Sequence, residues 1–239
     1  MPEAISREQL AQNIALIRQR MAQAAARAGR RTEEIALCAA SKLHDADTVR
    51  LAAGLDIDIF GENHVQELVA KRAAGAYLQK PLHFIGHLQT NKVKQVVGAV
   101  QLIESVDSAH LLQAIEKQAA RLELVQDILL EVNIGGEGSK SGIAPQQLPA
   151  LLEAAAACPH VQVLGLMAVP PADTDDDANR GYFAAMRRLF EQSRACGLPQ
   201  TEMRWLSMGM SGDFENAILE GANLVRIGTA IFGARQYDR

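Results

Sequence analysis

The first periodic stretch is helical. From Ser6 to about Arg27, Leu10, Ile14, Ile17 and Met21 recur at spacings of three and four, which puts them on one helix face. Ser6 is placed to cap the start, and Gly29 follows the end. The rhythm then changes. Short β-like runs fall at IALCAAS (35–41), IDIFG (57–61), LHFIG (82–86), QLIESV (101–106), DILLEVNI (127–134), VLGLMAV (163–169), RWLSMG (204–209) and LVRIGTAIF (224–232). Helical patterns rich in Ala, Leu, Gln and Glu occupy 64–74, 108–122, 146–157 and 178–195. The residues after Lys42 also look like the start of a helix, and SGDFENAILEG (211–221) reads as a capped helix ended by Gly221.

Alternating strands and helices imply parallel strands joined by right-handed crossovers. Continuous apolar runs suit strands covered on both faces. Eight such units predict an α/β fold of the (β/α)8 barrel type, one domain over 1–239. An open doubly wound sheet is the alternative. Only GARQYDR (233–239) follows the eighth run, so the N-terminal helix is expected to fill the place of an eighth helix.

Composition narrows the function. With 48% hydrophobic and 22% charged residues, 239 residues can bury a sizeable core. The net charge of -4 and pI near 5.9 give no electrostatic reason to expect nucleic acid or an anionic membrane. Cys38, Cys158 and Cys196 are too few and too widely spaced for a disulfide framework or a zinc site. Cys38 lies in an apolar run and reads as a small buried hydrophobe. No stretch reads as a membrane span or a secretory signal, so a reducing cytoplasm is expected. The acidic loop PPADTDDDANR (170–180) lacks the glycine and closing Glu of a calcium loop and reads as an exposed connection.

Barrel chemistry sits at the C-terminal ends of the strands. Those ends offer Ser41 and Lys42, Glu62 and Asn63, His87, Gln89 and Asn91, Asn133, Met167, the stretch SMGMSGDFENA, and Arg226, Gly228 and Thr229. Small residues in SMGMSGD and RIGTA let backbone N–H groups approach an anion at the loop pair that often holds phosphate in barrels, although Ser211 could equally be an ordinary helix cap. Lys42 ends an apolar run. Among apolar walls a lysine amine can be neutral and form a Schiff base with an aldehyde; otherwise it is a salt-bridge partner. A phosphate site together with a Schiff-base lysine points to pyridoxal 5'-phosphate. His83 and His87 fall on a strand and the turn after it, which makes them core and rim residues and not a metal pair.

The stretches ASK (40–42), FGENHVQE (60–67), HFIGHLQTNK (83–92), SMGMSGDFENAI (207–218) and VRIGTAIFGAR (225–235) resemble the pyridoxal phosphate homeostasis protein family, in order and over most of the chain. The family often has Tyr or Arg where this chain has His64. The resemblance implies a barrel like the N-terminal domain of bacterial alanine racemase, with Lys42 carrying pyridoxal phosphate as an internal aldimine. It also implies that Ser207, Gly228 and Thr229 hold the phosphate, that Arg226 faces the pyridine nitrogen, and that Asn63 lines the ring pocket. The family is not known for turnover. It is thought to store, carry or transfer the cofactor, which balances vitamin B6 and amino-acid pools. PLP-dependent apo-enzymes are possible receivers, and a monomer is expected.

A PLP-dependent racemase and a cofactor-free Schiff-base lyase are the competing functions. An arginine stays charged and leaves the pyridine nitrogen unprotonated, which weakens the electron sink. The resembling racemases take a second base, a tyrosine, from a C-terminal β-domain of a partner subunit. This chain is expected to lack that domain, and Tyr77, Tyr182 and Tyr237 do not fall at recognised strand ends.

Overall fold

The computed structural model describes residues 5–138, 140–172 and 175–233. Eight parallel strands close into a barrel in chain order: β1 (Ala36–Ala40), β2 (Ile59–Glu62), β3 (Leu82–Phe84), β4 (Leu102–Val106), β5 (Gln126–Glu131), β6 (Val161–Met167), β7 (Thr201–Ser207) and β8 (Leu224–Ile227). The ring shuts where β8 pairs with β1, Cys38 opposite Arg226. Outside it lie α2 (Ala46–Ala53), α3 (Val65–Ala73), α4 (Val93–Val96), α5 (Ala109–Arg121), α6 (Leu148–Ala156), α7 (Asp176–Ala195), α8 (Phe214–Leu219) and α9 (Thr229–Phe232).

Helix α1 (Arg7–Arg27) precedes the barrel, and the Ser6 hydroxyl accepts from the Gln9 N–H at its start. Its buried face is the expected stripe, extended by Ala24 and Ala25. That face packs against α8, α9 and α2. Polar contacts fix its angle. Asn13 donates to the Ile231 carbonyl, Arg20 grips Glu215, and Arg18 reaches Asp56 and Asp58. Each buried Leu, Ile or Met contributes on the order of 1.5–3 kcal/mol.

The eighth apolar run, 224–232, is shorter as a strand than the sequence predicts. It ends at Ile227, Gly228 turns the chain, and Thr229–Phe232 forms one helical turn whose Ile231 and Phe232 are buried. An apolar run cannot distinguish a strand from a strand followed by a buried turn. The ring therefore ends on a single turn, and α1 covers the space beside it.

Alternation of side chains sorts the barrel wall into two faces. One set points inward. Leu102, Leu129, Leu164 and Met167 meet Trp205 there, and Cys38, Ile59 and Leu224 meet it from the other half. Two residues further on, the same inward rows of β4, β5, β7 and β8 carry Glu104, Glu131, Ser207 and Arg226. The interior thus changes from apolar to charged toward the C-terminal ends, where barrel sites form.

Candidate functional site

Arg226 is the centre of the inward polar group. It is 5% exposed, and three contacts fix its guanidinium. Nη1 donates to the Ser207 hydroxyl at 2.5 Å and lies 3.9 Å from Glu104 Oε2, while Nη2 donates to the Ala168 carbonyl at 3.0 Å. The Ser207 hydroxyl in turn donates to Glu104 Oε2 at 2.5 Å, and Glu104 Oε1 meets His83 Nδ1 at 2.6 Å. Burial alone would raise the Glu104 carboxyl. The hydrogen bond and charge of His83, the charge of Arg226 and the Ser207 hydroxyl outweigh it and hold Glu104 below the ordinary carboxylate range. A buried arginine is thus matched by a carboxylate that stays ionised.

Glu131 differs. It sits at the end of β5 and is 7% exposed. Burial, and then the charge of Asp107, push its carboxyl up to about 7, with Arg226 pulling the other way.

The loops after β7 and β8 lock together. The Arg226 N–H donates to the Gly209 carbonyl, and the Ala230 N–H donates to the Ser211 hydroxyl at 3.3 Å. Ser211 therefore does not cap α8; Asp213 precedes that helix and accepts the Met210 N–H. Gly209 has φ +93, and an added Cβ would lie 2.6 Å from the Ala217 Cβ, so only glycine lets this loop sit on α8. Gly228 and Thr229 open α9, where the first N–H groups have no intrahelical acceptor.

Lys42 follows β1 by two residues and is half-buried. Its turn touches α9, since the His44 ring stacks on Phe232 with centroids 4.6 Å apart. Asn63 follows β2, and its Oδ1 is buried with no hydrogen-bond partner among the described residues. The turn after β3 presses on it. A Cβ on Gly86 would lie 2.2 Å from the Asn63 carbonyl oxygen. A buried acceptor without a donor costs about 1–3 kcal/mol, so it is suited to receive a ligand.

Residues 5–236 match the family of the alanine racemase N-terminal domain. The chain belongs to that family. Within it, the chain is 42% identical over 229 residues to the pyridoxal phosphate homeostasis protein of Aquifex aeolicus, covering 95% of this chain and 98% of the relative. Among solved structures it resembles PipY of Synechococcus elongatus PCC7942 with PLP bound, at TM-score 0.82 and 32% identity over 94% of this chain and all of PipY. Alanine racemase of Clostridium difficile 630 shares the fold at TM-score 0.76 and 14% identity, and 58% of that longer chain is covered.

Viewed as an alanine racemase N-terminal barrel, the chain gathers the predicted residues into two places. Ser207 and Arg226 stand inside the barrel, while Lys42, Asn63, Gly228 and Thr229 stand at its strand ends. The Ser207 hydroxyl is not turned to an outer ligand as the resemblance implies; it is committed to Glu104 and Arg226, because a buried guanidinium needs that acceptor. His83 is a core residue bound to Glu104, and His87 is exposed at the rim beside Asp107. Tyr77 lies outside the barrel wall on Glu62, and burial together with that carboxylate pushes its hydroxyl far up. Tyr182 is half-buried on α7, and Tyr237 falls outside the described residues. Glu104 and Glu131 escaped sequence analysis. The available signal was an acid set among the apolar residues of each of two strand runs, where only a paired or shifted carboxyl is tolerated.

Proposed function

We propose that this protein binds pyridoxal 5'-phosphate at the C-terminal mouth of the barrel and holds it covalently on Lys42. In this proposal it stores or transfers the cofactor in the cytoplasm, as a monomer, with PLP-dependent apo-enzymes as receivers and no turnover of its own. No described helix is long and apolar enough to cross a membrane. The observation that carries the proposal is Arg226, a fixed cation inside the barrel with the loops of Gly209 and Gly228 anchored around it.

When bound, the cofactor supplies an aldehyde for a primary amine and a pyridine ring that can accept electrons. The residues divide the work. Lys42 provides the amine at the end of β1. Gly228 and Thr229 would provide backbone donors for a phosphate, and Asn63, whose Oδ1 is buried without a partner among the described residues, would line the ring pocket. Arg226 would donate to a ring nitrogen, and because it cannot give up its proton that nitrogen would stay unprotonated and the electron sink would be weak. That suits holding a cofactor better than turning over amino acids.

The test is absorbance and mass spectrometry of protein loaded with pyridoxal phosphate, before and after borohydride, on the parent, Lys42→Ala and Lys42→Arg. The parent should show a visible band that borohydride bleaches and a reduced pyridoxyl adduct on Lys42. Both variants should lack them, because a guanidinium stays protonated and cannot be the nucleophile. An adduct on Lys92 or Lys140 in the parent defeats the assignment, and racemisation of amino acids by the loaded protein defeats the claim of no turnover.

A further inference from the structure

Helix α3 grips the backbone on both sides of Lys42. Ser41, just before it, is fully buried, and each of its polar groups is bound. Its N–H donates to the Gly61 carbonyl, its hydroxyl donates to Glu62 Oε1 at 2.6 Å, and its carbonyl accepts from Lys71 Nζ at 2.8 Å. Leu43, just after Lys42, donates its N–H to Glu67 Oε2 at 2.7 Å. The Ser41 carbonyl and the Leu43 N–H belong to the two peptide groups that flank Lys42, so both are clasped.

The two halves of the clasp are bonded to each other. Lys71 Nζ also donates to Glu67 Oε2 at 2.9 Å and to Glu62 Oε1 at 2.8 Å, which uses all three ammonium donors. Glu67 and Lys71 lie one helical turn apart, the spacing at which side chains meet. His64 Nδ1 holds the other Glu67 oxygen at 2.7 Å, and Tyr77 donates to Glu62 Oε1 at 3.0 Å.

Sequence alone places Lys71 on a helix that should show charge to solvent. Instead it is 5% exposed and faces a carboxylate of 0% exposure. Burying such ions is costly unless geometry is tight, and a tie between helix and barrel could be made from apolar residues. What apolar residues cannot do is hold a carbonyl and an N–H. The turn needs holding. Leu43 has φ 66, a left-handed conformation uncommon for leucine, and its side chain is 56% exposed, so packing contributes little to keeping it there.

We infer that Lys71 and Glu67 are positioning residues for Lys42, fixing its two flanking peptide groups so that its amine meets an aldehyde in the barrel mouth. This rests on the proposed capture of pyridoxal phosphate by Lys42. In that capture the neutral amine adds to the aldehyde carbon, a carbon–nitrogen double bond forms, and both amine protons leave with the aldehyde oxygen as water. No oxidant or second reactant is needed. A nucleophile held in its reactive pose avoids an ordering cost at the moment of bond formation.

The experiment compares two probes on the parent, Lys71→Met, Glu67→Ala and Glu67→Gln. Pyridoxal 5'-phosphate reports the rate of covalent capture by stopped-flow absorbance. Pyridoxine 5'-phosphate, which has no aldehyde, reports non-covalent affinity of the same pocket by calorimetry. In Lys71→Met and Glu67→Ala, capture should slow about tenfold or more, while pyridoxine 5'-phosphate affinity stays within about twofold. Glu67→Gln keeps an acceptor for the Leu43 N–H and should recover most of the rate. Should Lys71→Met fail to fold, Glu67→Ala decides, because Glu67 is only partly buried. Capture within about twofold of the parent in Glu67→Ala, or equal loss for both probes, overturns the inference. A parent that never captures the aldehyde sinks the proposed function itself, an outcome distinct from a variant that captures normally.

Discussion

Replacing Glu131 by glutamine should stabilise the ligand-free protein at pH 8 and change little near pH 4. In the folded barrel the Glu131 carboxyl is pushed from 4.5 to about 7, first by burial and then by the charge of Asp107. Between those two pH values the folded state keeps a proton that the unfolded chain has released. Linkage then makes stability fall as pH rises through the window, with the full penalty above about 7. At about 1.36 kcal/mol per pH unit, a window from 4.5 to about 7 is worth roughly 3 kcal/mol. Glutamine matches the shape of a protonated glutamate and never ionises, so Glu131→Gln removes the penalty. For a chain of this length the gain corresponds to roughly 6–12 °C in melting temperature at pH 8. Thermal melts of both proteins across pH 4 to 9 would measure it. The parent should lose stability relative to the variant across the window. Parallel pH profiles, or a variant less stable than the parent at pH 8, would refute the placement of this carboxyl in a dry, acidic corner of the barrel.

Two further outcomes are expected. Ile14→Ala, on the buried stripe of α1, should cost about 2–5 kcal/mol in urea denaturation, and a change within about 0.5 kcal/mol, the range of a surface substitution, would mean that α1 does not seal the ring. Pyridoxal should bind more weakly than its phosphate, because it forfeits charge-assisted hydrogen bonds from the Gly228 loop; equal affinities in a titration would remove the phosphate from that place.

The barrel was legible because its signal is periodic. Eight apolar runs separated by helical patterns leave few topologies, and the stripe from Leu10 to Met21 marks α1 on its own. The strand ends were legible for the same reason, since Lys42, Asn63 and Ser207 each follow or close an apolar run. What stayed hidden depends on which face of a strand a residue takes. Glu62 and Glu104 are both lone acids in apolar strands. One points out of the barrel toward Lys71 and the other in toward Arg226. Their partners are distant in sequence or masked by a helical pattern that usually means a solvated surface, as with Glu67 and Lys71. The turn after Ile227 was missed because Gly228 interrupts a run whose apolar residues continue on a buried helical face.

Those two carboxylates explain how a rigid site is built from a wall of thin strands. Each strand offers one residue to the mouth, and a single side chain on a strand end retains its rotamer freedom unless something holds it. Glu104 holds Arg226 through Ser207 from inside the barrel, and Glu62 holds the Lys42 turn through Ser41 and Lys71 from outside. Under the proposed function, the outer network serves the covalent end of the cofactor and the inner one the ring nitrogen. Their chemistry differs accordingly. The outer network binds the peptide groups on either side of Lys42. The inner network pairs a permanent cation with a carboxylate held ionised by its neighbours, so Arg226 can donate a hydrogen bond while its charge is already largely balanced. A donor that cannot release its proton would leave a facing ring nitrogen unprotonated. Under the proposed function, an amine held in place beside an arginine that cannot give up its proton would capture an aldehyde while leaving the ring a weak electron sink.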